Sequence, residues 1–380
     1  MKKLILSLII ISFAIIFFFG VYVGLYKIFP YEVLDSSKDV LFEQKTTQNN
    51  QFVNQVNVDS LIKIDSKSDI DQKRDFLTEF FWDVGIQQQH NIYQNRLLEV
   101  KSDISDSNYK DFQNLKRIDR LTVEMEYGIN SVSYLFIPKQ SNEKLILYHQ
   151  GHGGDFLLGK ETIQFFLDRN FTVLAMSMPL LGMNNQPVVE IDGLGEMKLI
   201  THNQLRLLEA NNFNPMKLFL DPIQINLNFL DKEYNFKQYS MIGLSGGGWT
   251  AVVYSAIDER ISNSFSVAGS MPFYLRVDSR DMGDYEQTNI ELYKHVNYLE
   301  LYVLGAYGDN RRLVLFYNEF DPCCFSGELY NKFPFGDMVK TKLSKFNEGN
   351  FDVIIDYGQT EHMISENILG KITEYIQNNS

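Results

Sequence analysis

Sulfur chemistry has almost no place in this chain. Of its 380 residues only two are cysteine, Cys323 and Cys324, and they are adjacent. A bond between neighbouring cysteines is strained, so no disulfide framework is available, and two thiols side by side do not have metal-ligand spacing. Positive charge is also scarce. Lys and Arg number 35 against 48 Asp and Glu, a net charge of −13, and no basic cluster follows Lys2-Lys3. The basic face that nucleic acid requires is therefore missing, and nucleic acid is excluded as a partner. There is no internal repeat. What remains, 44% hydrophobic and 22% charged residues, is ordinary globular composition, long enough for one large domain or two small ones.

Charge is absent altogether from Leu4 to Tyr26, where Leu, Ile, Phe and Val dominate. As a helix this run would be about 35 Å long, enough for a hydrocarbon core of about 30 Å. A cleaved signal peptide has a shorter apolar run and a small-x-small site, and no such site is present, so an uncleaved anchor over residues 1–27 is favoured over secretion after cleavage. Lys2 and Lys3 precede the run and Lys27 alone follows it. That bias predicts a cytoplasmic N-terminus and a domain on the far side of the membrane.

Residues 28–75 are rich in Asn, Gln, Asp, Ser and Lys and read as a polar linker. The folded domain is expected from Phe76 to the C-terminus, 76–380. Arg120–Glu126 and Ser131–Pro138 read as a hairpin, and Lys144–His149 as a buried strand running into glycines. Thr162–Asp168 and Trp249–Ile257 read as helices, and another opens at Asp221-Pro222. Phe171–Met176, Tyr239–Gly243, Ile261–Ala268, Arg312–Tyr317 and Phe351–Tyr357 read as strands, with further helices at Met338–Phe346 and Ile368–Ile376. Residues 272–310 form an aromatic-rich insertion, either a lid or substrate wall, or a subdomain that only packs. Its tyrosines would suit a sugar ligand by stacking. Alternating strands and helices predict an α/β domain, with a mostly parallel central sheet covered by helices on both faces.

The chemical signal is Gly243-Leu244-Ser245-Gly246-Gly247, a G-x-S-x-G pattern between a strand and a helix. A serine on so tight a turn has a strained backbone that small neighbours tolerate, and the turn lifts its Oγ clear of the sheet. A phosphate-binding turn would instead read G-x-G-x-x-G or end in Gly-Lys-Ser/Thr, and neither occurs. Ser245 is thus the candidate nucleophile. A nucleophilic serine needs a base and a group that orients the base, and in G-x-S-x-G enzymes these follow in the order acid, then His. Of six histidines only His295 and His362 follow Ser245. His362 lies just past the last predicted strand, where the base belongs; His295 lies in the insertion and is next in line. Glu319 and Asp321 both follow the strand Arg312–Tyr317. Asp321-Pro322 favours a turn back toward the histidine, so Asp321 is preferred and Glu319 stays open. Cys323-Cys324 beside it reads as packing near the site.

The tetrahedral oxyanion needs donors as well. His149-Gln150-Gly151-His152-Gly153-Gly154 follows a predicted buried strand, and its glycines let backbone N–H groups approach a ligand closely. The N–H of His152, or of Gly153, and that of Gly246 are the candidate pair. His149 and His152 are three residues apart, but no third ligand stands at a convincing spacing, so no metal is expected.

Taken together, the front hairpin, the His149–Gly154 turn, Gly243–Gly247, Asp321 and His362 resemble the α/β-hydrolase superfamily from about Arg120 to the C-terminus. The likeness is to its dienelactone-hydrolase and acetyl-xylan-esterase-like branches. The chain departs from simple members in its long insertion and in having two histidines in the glycine turn. The resemblance implies hydrolysis of a small-molecule carboxylic ester through an acyl-enzyme on Ser245, without a cofactor. An acyltransferase or peptidase with the same triad, and a catalytically silent binding module, are the alternatives.

Overall fold

The computed structural model describes residues 12–23, 50–83 and 98–377. It divides into two units, 1–56 and 57–380. In the first, the described residues 12–23 and 50–54 are helical. Among the described residues, no helix is long and apolar enough to cross a membrane. This corrects the expected N-terminal membrane-spanning helix. The described residues 12–23 account for about 18 Å of helix, against a hydrocarbon core of about 30 Å. Residues 4–11 and 24–26 of the expected span lie outside the described residues. The membrane partner, the single-pass anchor and the extracytoplasmic placement that rested on that span fall with it.

The second unit begins earlier than its polar composition suggests. Helix α1 (Lys67–Trp82) opens on a reciprocal cap: Ser66 Oγ accepts the Asp69 N–H, and the Asp69 carboxylate accepts the Ser66 N–H. Ile62, Ile64, Ile70, Leu77 and Phe81 are all buried. The segment read as linker up to residue 75 therefore holds the first turns of a packed helix.

Eleven strands follow among the described residues: β1 (Leu98–Lys101), β2 (Leu115–Glu124), β3 (Asn130–Pro138), β4 (Lys144–His149), β5 (Thr172–Met176), β6 (Val188–Ile191), β7 (Gly195–Lys198), β8 (Gln238–Leu244), β9 (Ile261–Val267), β10 (Arg312–Asn318) and β11 (Asn350–Asp356). Nine of them form one sheet in the order β1-β2-β3-β5-β4-β8-β9-β10-β11, and β6-β7 is a separate hairpin. The pairs β1-β2, β2-β3 and β3-β5 are antiparallel, and every pair from β5-β4 to β10-β11 is parallel. Of the parallel strands, β4, β5 and β10 are buried on both faces and read as continuous apolar runs, whereas β9 interleaves Ser and Asn and the edge strand β11 is mostly half-buried.

The remaining helices are α2 (Lys160–Leu167), α3 (His202–Leu205), α4 (Asp221–Glu233), α5 (Gly246–Ile257), α6 (Tyr285–Thr288), α7 (Ile290–Tyr293), α8 (Tyr298–Ala306), α9 (Gly327–Lys332), α10 (Gly336–Ser344) and α11 (Glu366–Gln377). Every residue of α5 is buried, between the sheet and α8. On another part of the sheet, Ile163, Phe166 and Leu167 of α2 and Ile368, Leu369 and Ile372 of α11 join one apolar cluster with β3, β4 and β5. Five tyrosines of the insertion are core rather than ligand platform: Tyr285, Tyr293, Tyr298, Tyr302 and Tyr307 are buried, while Tyr274 is half-buried.

The order places β4 between β5 and β8, with the chain leaving it in opposite directions across the sheet. At such a switch point a crevice opens beyond the carboxyl ends of the strands. The turn after β4 and the turn after β8 both face it.

Candidate active site

Ser245 follows β8 directly, and its backbone stands at φ 56° and ψ −126°. A side chain rarely adopts this region, so the turn is held by its surroundings. The Ser245 N–H donates to the Val267 carbonyl at 2.8 Å, and its own carbonyl accepts the Trp249 N–H at 3.1 Å. Two glycines make the close approach possible. A Cβ on Gly243 would lie 2.0 Å from the Gly247 carbonyl oxygen, and one on Gly247 would lie 2.0 Å from that of His149. The expected glycines are thus required by space on both sides of the serine.

The turn after β4 packs against this elbow. A Cβ on Gly151 would sit 2.4 Å from the Leu244 carbonyl oxygen and 2.5 Å from Ser245 Cβ, while the His152 ring edges the Gly246 backbone. Among the described residues, the N–H groups of His152, Gly153 and Gly246 have no turn or loop hydrogen-bond partner. The two predicted donor segments are therefore brought together. His149 is not among the groups facing the crevice. It is buried, its Nδ1 donates to the Gln150 carbonyl at 2.9 Å, and burial pulls its pKa down to about 4.

Asp321 and His362 come from the ends of β10 and β11, which pair in register as Asn318 beside Asp356. His362 Nδ1 lies 3.0 and 2.9 Å from the two Asp321 carboxylate oxygens. Asp321 is buried and also accepts the Cys323 N–H at 2.9 Å, the Cys324 N–H at 3.3 Å and the Asn318 amide at 3.1 Å. A carboxylate accepts only, so Nδ1 carries the proton and a neutral His362 presents the lone pair of Nε2. That Nε2 is buried and has no hydrogen-bond partner. Burial disfavours the imidazolium, but the hydrogen bond and charge of Asp321 outweigh it and raise the His362 pKa.

The alternatives fall elsewhere. Glu319 accepts the Gly358 N–H at 2.7 Å and so ties down the loop before His362. His295 is exposed, with its ring 4.6 Å from that of Phe76 on α1.

Two groupings were not legible from spacing. Cys323, Cys324 and His362 place ligand atoms within 4.8 Å of one another, as do His152, His202, Asp284 and Glu286. In the first, Cys323 Sγ lies 2.8 Å from Cys324 Sγ, and that contact brings the exposed Cys323 thiol down to about 6. A cation held there would occupy His362 itself. In the second, burial of Glu286 is overridden by its histidine neighbours, which hold the carboxyl well below the usual range. His202 precedes β8 and the two acids lie in the insertion, so only the fold assembles them. The short, polar His152–Glu286 contact at 2.9 Å is what ties the insertion to the glycine turn.

The insertion is joined to the elbow a second time. Trp249, in the first turn of α5, donates from Nε1 to the Tyr293 hydroxyl at 2.6 Å, and that hydroxyl donates to the Glu286 carbonyl at 2.7 Å. Tyr293 stacks on Tyr298 at 4.7 Å, and the buried Arg276 guanidinium lies 4.3 Å from the Tyr298 ring centre.

No family model and no curated protein matches this sequence. Solved structures do. An acetyl xylan esterase from Thermoanaerobacterium sp. is 14% identical with a TM-score of 0.51, over 82% of this chain and 93% of that one. One from Paenibacillus sp. R4 is 14% identical at 0.53, over 79% and 94%. The glucuronoyl esterase of Solibacter usitatus is 11% identical at 0.55, over 83% and 94%. What likenesses of this kind establish is architecture: apart from its N-terminal segment, the chain has the α/β-hydrolase fold shared by these esterases.

Proposed function

We propose that the chain is a serine hydrolase acting on a small-molecule carboxylic ester, with Ser245 as nucleophile, His362 as base and Asp321 as the orienting acid. The observation that carries the reading is the Asp321–His362 contact, which leaves the buried Nε2 as the one open nitrogen of a half-buried imidazole. The esterase names of structurally similar proteins agree with it.

Ser245 Oγ attacks the ester carbonyl carbon while His362 Nε2 takes its proton. The carbonyl oxygen becomes an oxyanion, received by the N–H groups of His152, or Gly153, and Gly246. As the tetrahedral species collapses, the alcohol leaves with the proton from His362. Water, deprotonated by the same nitrogen, then cleaves the acyl-enzyme. Asp321 keeps the proton on Nδ1 and stabilises the imidazolium without itself taking a proton. Serine–histidine hydrogen bonds are often long in unliganded sites and tighten with substrate, so an unpartnered Nε2 is compatible with this role.

A fluorophosphonate probe tests the reading. It is expected to label the wild-type chain at Ser245 and to leave Ser245→Ala unlabelled, while His362→Ala keeps the fold and loses turnover. Labelling that survives in Ser245→Ala would place the nucleophile elsewhere.

A further inference from the structure

His202 lies buried on α3, and its Nε2 is 2.9 Å from the Pro179 carbonyl oxygen. A carbonyl cannot donate, so Nε2 carries the proton and Nδ1 of the neutral ring is an acceptor. Nδ1 has no hydrogen-bond partner, and neither has Oε2 of the fully buried Glu286. These two unsatisfied acceptors face each other at 3.5 Å. Two acceptors buried head to head are unfavourable unless something positive lies between them.

The other two groups complete the enclosure. His152 Nε2 is 2.9 Å from Glu286 Oε1 and 3.4 Å from Asp284 Oδ2, and Asp284 Oδ2 is 4.0 Å from His202 Nδ1. A tetrahedral ion with bonds of about 2.0–2.2 Å to nitrogen and oxygen separates its ligands by roughly 3.3–3.6 Å. The distances present, 3.4 Å from His152 Nε2 and 4.0 Å from His202 Nδ1 to Asp284 Oδ2, and 2.9 and 3.5 Å from the same two nitrogens to Oε1 and Oε2 of Glu286 respectively, straddle that value, with either Glu286 oxygen available as the ligand. With both imidazoles neutral, two carboxylates supply a charge that one divalent cation cancels. The Pro179 carbonyl behind His202 is the outer partner a metal-bound histidine ordinarily has.

We infer that His152, His202, Asp284 and Glu286 form a tetrahedral site for a divalent transition-metal ion, zinc being the ion that two imidazoles and two carboxylates suit best. The site is structural rather than catalytic. It joins the glycine turn, α3 and the insertion at one point, and it holds the residue whose N–H is offered to the oxyanion. That last consequence rests on the hydrolase reading; occupancy of the site does not.

Metal content and spectroscopy test it without reference to activity. The full chain, stripped with a chelator and given zinc, is expected to retain about one equivalent through gel filtration. Cobalt in its place gives the intense visible absorption of a tetrahedral ion without a thiolate charge-transfer band. Glu286→Gln and His202→Asn are expected to weaken zinc binding at least about 100-fold, and the half-exposed Asp284→Asn serves if a buried change prevents folding. Ser245→Ala keeps full binding even though it abolishes hydrolysis, which separates this inference from the proposed activity. The double variant Cys323→Ser/Cys324→Ser keeps it too. A wild-type chain that retains no zinc, variants that bind as well as wild type, or binding lost only in the cysteine variant each overturn the assignment. The first of these leaves the cluster as a hydrogen-bonded histidine–carboxylate group.

Discussion

Replacing Asp321 with Asn changes one atom in the best-defined part of the site. Oδ1 receives His362 Nδ1 and two backbone N–H groups, and Oδ2 receives His362 Nδ1 and the Asn318 amide. An amide nitrogen in either position meets donors. At the Oδ2 position it faces Asn318 and also forces His362 to turn Nδ1 into an acceptor, which moves the ring proton to Nε2. A base with its proton already on Nε2 cannot accept the one from Ser245. The wrong tautomer costs about 10⁴-fold in rate, or about 5 kcal/mol of transition-state stabilisation. Mispaired buried donors cost about 1–3 kcal/mol of stability besides. The pH profile separates this from general damage. Turnover needs the neutral imidazole, so kcat/KM falls as the pH drops through the His362 pKa. Because Asp321 raises that pKa above its ordinary 6.5, the wild-type acid limb lies higher than that of a free imidazole. In Asp321→Asn it moves to lower pH. Hydrolysis of p-nitrophenyl acetate across the pH range, alongside thermal unfolding, measures all three quantities. Glu319→Gln, which loses charge on the Gly358 contact alone, is the control and is expected to stay within about threefold of wild type. A variant at Asp321 that keeps a tenth of the wild-type rate, or whose acid limb does not move, refutes the assignment.

Three more outcomes follow from the same geometry. Ser245→Gly removes the side chain from a strained backbone and is expected to raise stability by about 1 kcal/mol in chemical denaturation while abolishing activity; a variant less stable than wild type would show that the turn is not strained. Gly151→Ala forces a methyl group into the space of Leu244 and Ser245 and is expected to cost about 1–3 kcal/mol and most of the activity, because backbone rather than a flexible side chain must give way. Cys323, with its thiol near 6, is expected to be alkylated by iodoacetamide at neutral pH before Cys324, and the adduct to block the site. Cys323→Ser then stays active and becomes insensitive to the reagent, and loss of activity in that variant would give the thiol a role the triad does not.

The strands that carry the site were legible because each is a short apolar run that ends in polar chemistry. β4 runs into Gly151, β8 into Ser245, β10 into Asp321 and β11 toward His362, and a buried parallel strand leaves little room for any other pattern. Helix α1 was obscured because it buries Arg74, whose guanidinium reaches the Leu304 and Tyr307 carbonyls. A polar sequence thus disguised a packed face, although Ser66 and Asp69 spelled its cap. The insertion misled differently: its tyrosines suggested an open sugar platform, but most are buried, Tyr293 stacked on Tyr298, Tyr298 under Arg276 and Tyr302 stacked on Phe335 and Phe351. The N-terminal run was read from composition alone, and among the described residues no helix is long and apolar enough to cross a membrane. The grouping of His152 with His202, Asp284 and Glu286 leaves no trace in spacing, because its members lie up to 134 residues apart.

The bond from Trp249 to Tyr293 has a consequence for how the crevice is entered. A flap that swings aside needs a seam that can open cheaply, and here the seam would run through a fully buried indole at the root of the nucleophile's own helix. Lifting the insertion would strip that indole of its partner and disturb the serine it was meant to uncover. The insertion is therefore held in place at the root of α5, and the proposed hydrolase is expected to admit its ester without lifting it. Turnover is then expected to rise hyperbolically with dissolved substrate and to show no jump when the substrate passes into droplets, in contrast to lipases that must be pried open at an oily surface.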